Sequence, residues 1–449
     1  MTATTALPAR PQLAGFSAAS QGVWRVWQIE RRKLSAQLAI RLLALVCVVG
    51  PFLFAAILRV QSGSPTDTLY GIWVHSSGFA LSLVLLAFAG SWGLPLIAGI
   101  VAGDMFSSED RYGTWKLVLT RSCSRRQLFA GKVLAAATFS VGLLALTAAA
   151  SLLAGAIVVG PHSLVSLNGT LLSPGRLLGL TLASWFLCAF PTLAFVSLGI
   201  LFSIAARNGI VGVLGPAVCA LAMQLLLLVG SGVWMHTLLV GSAFGTWHAL
   251  FTDHPFYGPL LIGVAVSVLW SAASLLVAWR LLARRDFAGA PVSRKQGWVM
   301  PVKVAVASAG LIALVAIAGN WGPAGVTAAR LKASLIPSFN KLTLLQQHEL
   351  GRSVPAGANL NIVLPTCSRR GSTPRGPGDW VCTINVLIPT SSSLPPQLTP
   401  VTYDVSVQSD GCYKAQSPPA FIGQQQMKDA GGQSVVNPLY TIYGCFDPL

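Results

Sequence analysis

Charged residues are scarce in this chain of 449 residues. They occupy 10% of positions, against 53% for hydrophobic residues, whereas soluble domains carry about 25% charged residues. A soluble protein of this composition would expose large apolar patches and aggregate. The apolar residues also cluster in runs close to the ~20 residues that cross a bilayer. The sequence therefore indicates a polytopic membrane protein.

Six strong apolar runs and one weaker run follow one another along the chain. A cleaved signal peptide is the alternative for the first run, but that run starts far from Met1 and is longer than the usual apolar core of such signals. Prolines inside the runs are tolerated where neighbouring helices satisfy the freed backbone groups. We predict spans at 42–58, 77–102, 133–159, 177–206, 210–229, 259–279 and, weaker and rich in Ala and Gly, 304–320.

Ionisable side chains are missing from all of these runs. Proton-coupled carriers and intramembrane enzymes place such groups at depth, so their absence disfavours both classes. The phosphate-binding pattern G-x-x-x-x-G-K-[ST] is also missing, because Gly131-Lys132 lacks the upstream glycine and the following Ser or Thr. The six histidines fall on the predicted outer side without metal-ligand spacing, which favours hydrogen-bonded or solvated surface residues over a metal or pH-sensing role. We therefore expect no catalytic residue, no cofactor and no metal site on this chain.

The basic residues indicate how the chain is oriented. The net charge is +17, but the charge lies in blocks between apolar runs and forms no single stripe for nucleic acid. With the N-terminus inside, 19 Lys and Arg residues fall in inner segments and only Arg59 and Arg176 in outer loops. Inner loops of polytopic proteins carry such an excess. We predict a multi-pass plasma membrane protein with its N-terminus in the cytoplasm, its C-terminus outside and no nucleic-acid partner.

The tail after the last run has a different composition. Residues 361–364, 383–388 and 401–407 read as strands between Pro, Gly and Ser clusters, and Pro337 is a start signal for a short helix at 338–350. Four cysteines in a small domain suit an oxidising compartment; four free thiols on a cytoplasmic tail are the alternative. Of the three pairings, we favour the local one, Cys367–Cys382 with Cys412–Cys445.

The most informative segment is residues 107–132, SSEDRYGTWKLVLTRSCSRRQLFAGK, which follows the second predicted span on the inner side. Acidic residues open it, Gly113-Thr114 breaks it, and an amphipathic stretch around Trp115 precedes a basic cluster. A solvated basic loop is the alternative, but such a loop does not need Trp115 beside three aliphatic residues. Short amphipathic helices joined by a turn suit docking into a groove on another protein.

This segment resembles the loop after the second span in ABC-2 superfamily exporter permeases. That loop contains, in order, an acidic residue, Gly-Thr, a leucine-rich turn, Ser-Arg and a distal Lys. The corresponding residues here are Glu109, Gly113-Thr114, Leu117 and Leu119, Ser124-Arg125 and Lys132. The resemblance extends to residues 24–34, with Glu30 and Lys33, and to the inner segments 206–208 and 284–286. The proline common before Ser-Arg is absent, and the seventh span and tail lie outside the family's six-span unit.

The resemblance implies the permease subunit of an ATP-binding-cassette exporter, a dimer with the same or a homologous second permease. ATP and Mg²⁺ would bind a separate ATPase subunit. Residues 24–34 would form an amphipathic helix in the inner interface, in contact with membrane lipid, and the outer loop 231–258 resembles the family's re-entrant helices. The residues expected to couple to the ATPase are Glu109, Arg111, Gly113, Thr114, Ser124 and Arg125.

The nature of the cargo follows from the uncharged spans, which suit a hydrophobic or amphipathic substrate such as a drug, lipid or lipopeptide. We assign Ser91, Trp92 and Gln224 to the substrate cavity; for Gln224 a helix–helix hydrogen bond is an equal alternative. Two other functions stay open: a mechanotransmitting or sensory protein that uses its outer domain, and a polytopic membrane enzyme. Neither is favoured, because the outer domain follows the last span and the outer loops offer only Asp67 and Asp253.

The predicted architecture is an all-α polytopic membrane unit of the ABC-2 type, followed by a seventh span and a small, mostly β, disulfide-containing extracytoplasmic domain. That domain could also receive an extracytoplasmic partner. The predicted divisions are a cytoplasmic N-terminus (1–36), a six-span permease domain (37–288) with a coupling loop (104–132), a linker (289–303), the seventh span (304–320) and the outer domain (324–449).

Overall fold

The computed structural model describes residues 18–60, 68–115, 124–228, 237–285, 325–353, 362–371, 373–388 and 397–448. The predicted linker 289–303, the predicted seventh span 304–320 and residues 116–123 of the coupling loop lie outside the described residues. Among the residues that are described, six helices are long and apolar enough to cross a membrane. Their ends fall within a few residues of the predicted spans, except that the third helix begins earlier.

The helices of the membrane unit follow the apolar runs. They are α1 (Ala18–Ala36), α2 (Leu38–Val60), α3 (Leu69–Ser76), α4 (Gly78–Phe88), α5 (Leu94–Ala102), α6 (Ser107–Arg111), α7 (Arg125–Val158), α8 (Pro174–Leu187), α9 (Ala189–Ala206), α10 (Gly209–Leu228), α11 (Val240–Ala243) and α12 (Gly258–Ala283). A π-helical turn, Ala89–Gly93, joins α4 to α5, and a 3-10 helix, Thr246–Phe251, follows α11. Pro51 and Pro216 lie inside α2 and α10 without ending them, as predicted.

Small residues let the helices of the bundle approach closely. Gly78 of α4 lies directly against Gly155 of α7, so that a Cβ atom on either glycine would overlap the backbone of the other. Between the same two helices, the hydroxyl groups of Ser82 and Ser151 lie 2.6 Å apart, and Trp185 Nε1 donates to Ser82 Oγ at 3.0 Å. Hydrogen bonds of this kind satisfy polar groups inside an apolar bundle. They fix α4, α7 and α8 relative to one another.

The bundle has two distinct ends. Helix α7 has 34 residues, which gives a length of about 51 Å at the usual helical rise. The loop end of the bundle holds residues 103–115 together with the start of α7 and the last turn of α12. The opposite end, here named the sheet end, holds two short paired strands, β1 (Leu164–Val165) and β2 (Leu171–Leu172).

A small sheet domain forms the C-terminal part of the chain. Its strands are β3 (Ile362–Arg369), β4 (Gly378–Ile388), β5 (Gln397–Val407), β6 (Cys412–Gln416), β7 (Gln426–Lys428), β8 (Ser434–Val436) and β9 (Thr441–Cys445). Five strands form an antiparallel sheet in the order β3-β4-β5-β6-β9, and β7 pairs with β8. Alternate residues of β4 and β5 are buried, among them Trp380, Ile384 and Tyr403, as period-2 side-chain alternation requires. The predicted strands 361–364, 383–388 and 401–407 lie within or overlap β3, β4 and β5.

Both disulfides join residues that face each other across neighbouring strands. Cys367 on β3 pairs with Cys382 on β4, and Cys412 on β6 pairs with Cys445 on β9. This is the local pairing favoured from the sequence. Each bridge therefore ties an edge strand to the strand beside it.

The helix of the tail differs from its prediction. Helix α13 spans Ala328–Glu349, with Pro337 in its interior, whereas the sequence predicted a start after Pro337. Residues on both sides of the proline, including Leu331, Leu335 and Phe339, are buried against the sheet. That burial, at about 1.5–3 kcal/mol for each large side chain, outweighs the hydrogen bond that Pro337 cannot donate.

The sheet domain rests on the sheet end of the bundle through polar contacts and through apolar packing of Cys445 on the bundle core. Asn168, in the turn between β1 and β2, donates to Ser334 Oγ at 2.7 Å and accepts from Cys445 N at 3.1 Å. Lys341 Nζ lies 2.5 Å from Asp253 Oδ1, and this hydrogen bond lowers the pKa of Asp253. The domain thus lies at the end of the bundle opposite to residues 103–115.

The glycine contact gives a first prediction. Replacing Gly155 by Ala should lower the free energy of unfolding by about 1–3 kcal/mol, because the added Cβ forces α4 and α7 apart. Gly142 lies on the same helix with no atom within 4 Å of an added Cβ, so Gly142→Ala should leave stability unchanged or raise it by up to ~1 kcal/mol. Thermal unfolding of the full chain in detergent, followed by circular dichroism, compares the two. Equal midpoints would contradict the close approach.

Candidate functional site

A buried cluster of charges lies at the loop end of the bundle. Lys132, on the second turn of α7, is 0% exposed, and its three ammonium hydrogens have three acceptors. Nζ lies 2.7 Å from Glu30 Oε1, 3.2 Å from Glu109 Oε1 and 3.0 Å from Met105 O. Lys33 Nζ approaches the same Glu109 oxygen at 3.0 Å. Two lysines and two glutamates from three separate segments form one electrically balanced group, here named the lysine cluster.

The electrostatics of Glu109 follow from this group. Burial alone would raise the pKa of its carboxyl, but the charge of Lys132 and the hydrogen bonds from Thr114 and Lys33 outweigh burial and lower the pKa to about 2. The carboxylate stays ionised at neutral pH and is held on both oxygens. Glu109 is 5% exposed, so its carboxylate faces the interior of the bundle, where it contacts residues of α1 and α7. A charged group in this position fixes the path of the loop.

A second ion pair holds the other side of α6. Arg285, just after α12, forms a two-point pair with the carboxylate of Asp110, with Nη1–Oδ2 at 3.0 Å. Trp115 Nε1 donates to Asp110 Oδ1 at 2.8 Å, and the guanidinium lies 5.3 Å from the centre of the Trp115 ring. Two-point Arg–carboxylate pairs combine strength with fixed geometry. The loop is thereby attached to the end of the sixth span helix.

Backbone contacts complete the attachment. Ser203 Oγ on α9 accepts from the backbone N–H groups of Phe106 and Ser107 at 3.1 and 3.0 Å. Ser124 caps α7 in a reciprocal capping box with Gln127, which satisfies two otherwise unpaired N–H groups. Arg125 donates to carbonyl oxygens at the end of α12. Ser124 and Arg125, predicted to couple to a partner, thus lie beside α6 at the same end of the bundle.

The tip of the loop is the part that faces outward. Arg111, Tyr112 and Gly113 are exposed, and Arg111 forms a surface ion pair with Asp104 at 3.0 Å. Gly113 has φ +65°, with open space around it. The structure therefore separates the predicted coupling residues into an exposed tip, residues 111–113, and an inward-facing group that includes Glu109 and Thr114.

The residues assigned to a substrate cavity lie elsewhere, midway along the bundle. Ser91 and Trp92 belong to the π-helical turn between α4 and α5, a feature often found at functional sites. Trp92 is 52% exposed, whereas Ser91 Oγ donates to Ala87 O within its own helix. Gln224, half-buried on α10, lies near Gly241. The assignment of these three side chains to a substrate cavity stays a prediction.

One of the histidines expected to be either hydrogen-bonded or solvated is hydrogen-bonded within the protein. The ring of His248 stacks on that of Trp247 with ring centres 3.9 Å apart, and its Nε2 atom lies 3.0 Å from the Tyr70 hydroxyl. Burial lowers the pKa of His248. The neighbouring Trp247 and Phe251 are 1% exposed. Most of the segment from residue 237 to residue 257 is therefore packed into the protein, and its outer, re-entrant placement stays a prediction; Trp234 lies outside the described residues.

The sequence did not reveal the lysine cluster. Lys132 was read as the last residue of a loop, one position before an uncharged span, but it lies in the helix that forms that span. Glu30 and Lys132 are about a hundred positions apart, and no local pattern joins them. The available signal was the placement of both residues, with Glu109, in segments that resemble one family.

Six membrane-length helices, with a short helix anchored by buried charges at one end, define a multi-pass membrane protein built on a six-helix unit. Residues 26–215 match the family model of the ABC-2 family transporter proteins. Over this segment the chain is similar to ABC-2 family transporter proteins, which is the family that residues 107–132 resemble. No curated protein matches the chain.

The lysine cluster gives a second prediction. Lys132→Ala leaves two buried carboxylates without their shared cation and should destabilise the chain by about 3–5 kcal/mol. Arg111→Ala breaks an exposed pair, Arg111–Asp104, and should cost less than about 1 kcal/mol. Combining Lys132→Met with Glu30→Gln and Glu109→Gln should recover most of the loss, because no buried charge then stays unpaired. Denaturant unfolding compares the variants, and similar losses for Lys132→Ala and Arg111→Ala would contradict the cluster's role.

The same cluster predicts a pH dependence. Because the folded-state pKa of Glu109 is lowered from 4.5 to about 2, its contribution to stability is full above the unfolded value and is lost as pH falls toward about 2. Replacing Glu109 by Gln should remove this part of the acid sensitivity. Unfolding midpoints of both proteins, measured across the acid range, test the assignment. A parallel acid profile for Glu109→Gln would contradict it.

Proposed function

We propose that this chain is the membrane-spanning subunit of an ATP-driven exporter that moves a hydrophobic or amphipathic substrate out of the cytoplasm or inner leaflet. Its ATPase is a separate subunit, and it works with a second permease, the same or homologous. The observation that carries the proposal is the anchored loop at residues 103–115, in a chain whose residues 26–215 match the ABC-2 family. A drug, a lipid or a lipopeptide fits the apolar composition of the spans.

The coupling role is supported by how the loop is held. Its exposed tip, residues 111–113, offers a surface for the ATPase subunit. Behind the tip, Glu109 is bonded to α1 and α7, and Asp110 to the end of α12. A displacement of the tip therefore acts on three helices at once. Residues 103–115 would therefore connect the ATPase subunit rigidly to these helices, because the buried ion pairs resist local deformation of the loop.

The surface of the bundle supports assembly with lipid and a second permease. Helices α2 and α10 are each buried over only 22% of their most apolar segments, so most of their side chains need an apolar partner outside this chain. Bilayer lipid covers such a surface on one side, and a second permease on the other. Trp92, exposed on the π-helical turn, would face the cavity between the two.

The outer location of the sheet domain is supported by the positions of two residues. Arg285 lies at the loop end, bonded to Asp110, whereas Val326 and the residues after it belong to the domain at the sheet end. The intervening segment includes the apolar run 304–320. A seventh crossing by that run joins the two ends, and with the loop end in the cytoplasm the domain then lies outside.

The third prediction concerns coupling. In the complex with its ATPase subunit, Gly113→Val should abolish stimulation of ATP hydrolysis by substrate, because a β-branched residue is strongly disfavoured at φ +65°. Gly113→Asn is the matched control: asparagine tolerates the left-handed conformation, so this variant should keep most of the stimulation. Membrane insertion of both variants should equal that of the unmodified chain. Full stimulation in Gly113→Val would exclude residues 111–113 as the contact.

The fourth prediction concerns topology. In intact cells, a membrane-impermeant thiol reagent should label Cys412 and Cys445 only after mild reduction, because both are disulfide-bonded and lie outside. Cys123, on the predicted inner loop, is the internal control and should react only after the membrane is broken. Mass spectrometry of the labelled peptides gives the readout. Labelling of Cys412 that requires membrane disruption would place the sheet domain in the cytoplasm.

A further inference from the structure

A cleft of about 670 Å³ lies between the membrane unit and the sheet domain. One wall is α3, with Leu69, Ile72 and Trp73, and the other is formed by α13 and the β7–β8 hairpin. Ser166 and Gly169, in the β1–β2 turn, contribute to its floor. Neither the ATPase-coupling loop nor the residues assigned to the substrate cavity contribute to it. The cleft is therefore a separate site.

The wall on the membrane side is firmly attached to the bundle. Thr68 caps α3, accepting from Gly71 N at 3.1 Å. Tyr70 is bonded to His248, and Trp73 packs on Phe251 with ring centres 5.7 Å apart. These contacts attach α3 to the bundle. The cleft thus has one wall that moves with the membrane unit.

The wall on the domain side is equally well built. Ala430 N donates to the carbonyl of Glu349 at 2.9 Å, which joins the hairpin to the end of α13. Gln346 Nε2 donates to Asn437 Oδ1 at 2.9 Å, and Asn437 in turn donates to two carbonyl oxygens. The position of Glu349 at the cleft is therefore fixed by the backbone and by a polar network.

The charge of Glu349 is not compensated within the described part of the chain. The carboxyl lines the cleft, and its Oε2 atom is buried with no hydrogen-bond partner among the described residues. Burial and the nearby charge of Asp429 raise its pKa, against an opposing effect of His348. A second negative charge beside a buried carboxylate leaves the site short of one cation. Apolar side chains, among them Leu342, Val435 and Val436, line the rest of the cleft.

We propose that this cleft binds an amphipathic cation, with its amine at Glu349 and its apolar body along α3 and the β7–β8 hairpin. An anionic amphiphile would meet the negative charge of Glu349, the one acidic residue that lines the cleft, and a neutral one would leave that charge uncompensated. A bare metal ion would find too few ligands, since the described residues include no group of three His, Cys, Asp or Glu side chains suited to one. This proposal rests on the proposed function and extends it. A ligand bound in the cleft, on the outer side of the membrane, would be an exported substrate after its release from the membrane unit.

Photolabelling of the full chain in nanodiscs of zwitterionic lipid tests the site. The probe is dodecylammonium carrying a diazirine on its alkyl chain, and dodecylsulfonate with the same label is the matched anion. Labelled residues are mapped by mass spectrometry. The variants are Glu349→Gln, which removes the charge at the cleft, Val435→Trp, which fills the cleft, and Asp379→Asn, which removes an exposed acid of β4 outside it.

The cationic probe should label residues 69–76 and 426–443, and the anionic probe should not. Glu349→Gln should weaken this labelling about tenfold, as expected for one lost charge-assisted contact. Val435→Trp should also reduce it, whereas Asp379→Asn should leave it unchanged. Equal labelling by the anion, undiminished labelling of Glu349→Gln, or labelling confined to the span helices would overturn the proposal. The assay uses neither ATP nor an ATPase subunit, so its failure leaves the coupling and topology tests unaffected.

Discussion

The loop end of this protein depends on one buried ammonium group. Lys132 has no exposure, and an unpaired charge in that position would cost several kcal/mol. It can be buried only because Glu30 and Glu109 meet it from two other segments. The neighbouring Gly131 allows that meeting: a Cβ there would overlap Val26, so the glycine lets α1 lie against α7 with Glu30 above Lys132. The close packing of α1 on α7 at Gly131 thus allows the ion pair between Glu30 and Lys132 to form.

Two kinds of contact hold the helices of the membrane unit together. In the middle of the bundle, small residues and hydroxyl pairs such as Ser82–Ser151 hold helices together at short range. These contacts carry little charge and fix the helices by close packing. At the loop end, by contrast, ion pairs connect residues 103–115 to α1, α7 and α12. The middle and the loop end of the bundle are therefore held by interactions of different physical kinds.

The sequence predicted those elements whose signal is local. Each span is an apolar run of membrane length, so the six long helices were found with small boundary errors, and the β-branched segments 383–388 and 401–407 indicated strands. The sequence did not predict features that depend on contacts with residues distant in the chain. Pro337 reads as a helix start until the buried faces of α13 on both sides of it are known. Likewise the motif residues around Glu109 pointed to an interface, but only the fold shows that Glu109 faces inward while Gly113 faces out.

The way the sheet domain is attached has a consequence for its role. Its own core has Trp380, Tyr403 and Phe339 at the centre, and two disulfides hold its edge strands. Its link to the bundle combines side-chain hydrogen bonds, the ion pair Lys341–Asp253 and apolar packing, because Cys445 belongs to the hydrophobic core of the bundle. The cleft with Glu349 lies between the two units, so its width depends on how the domain is seated on the bundle. The occupancy of the cleft and the position of the domain are therefore linked.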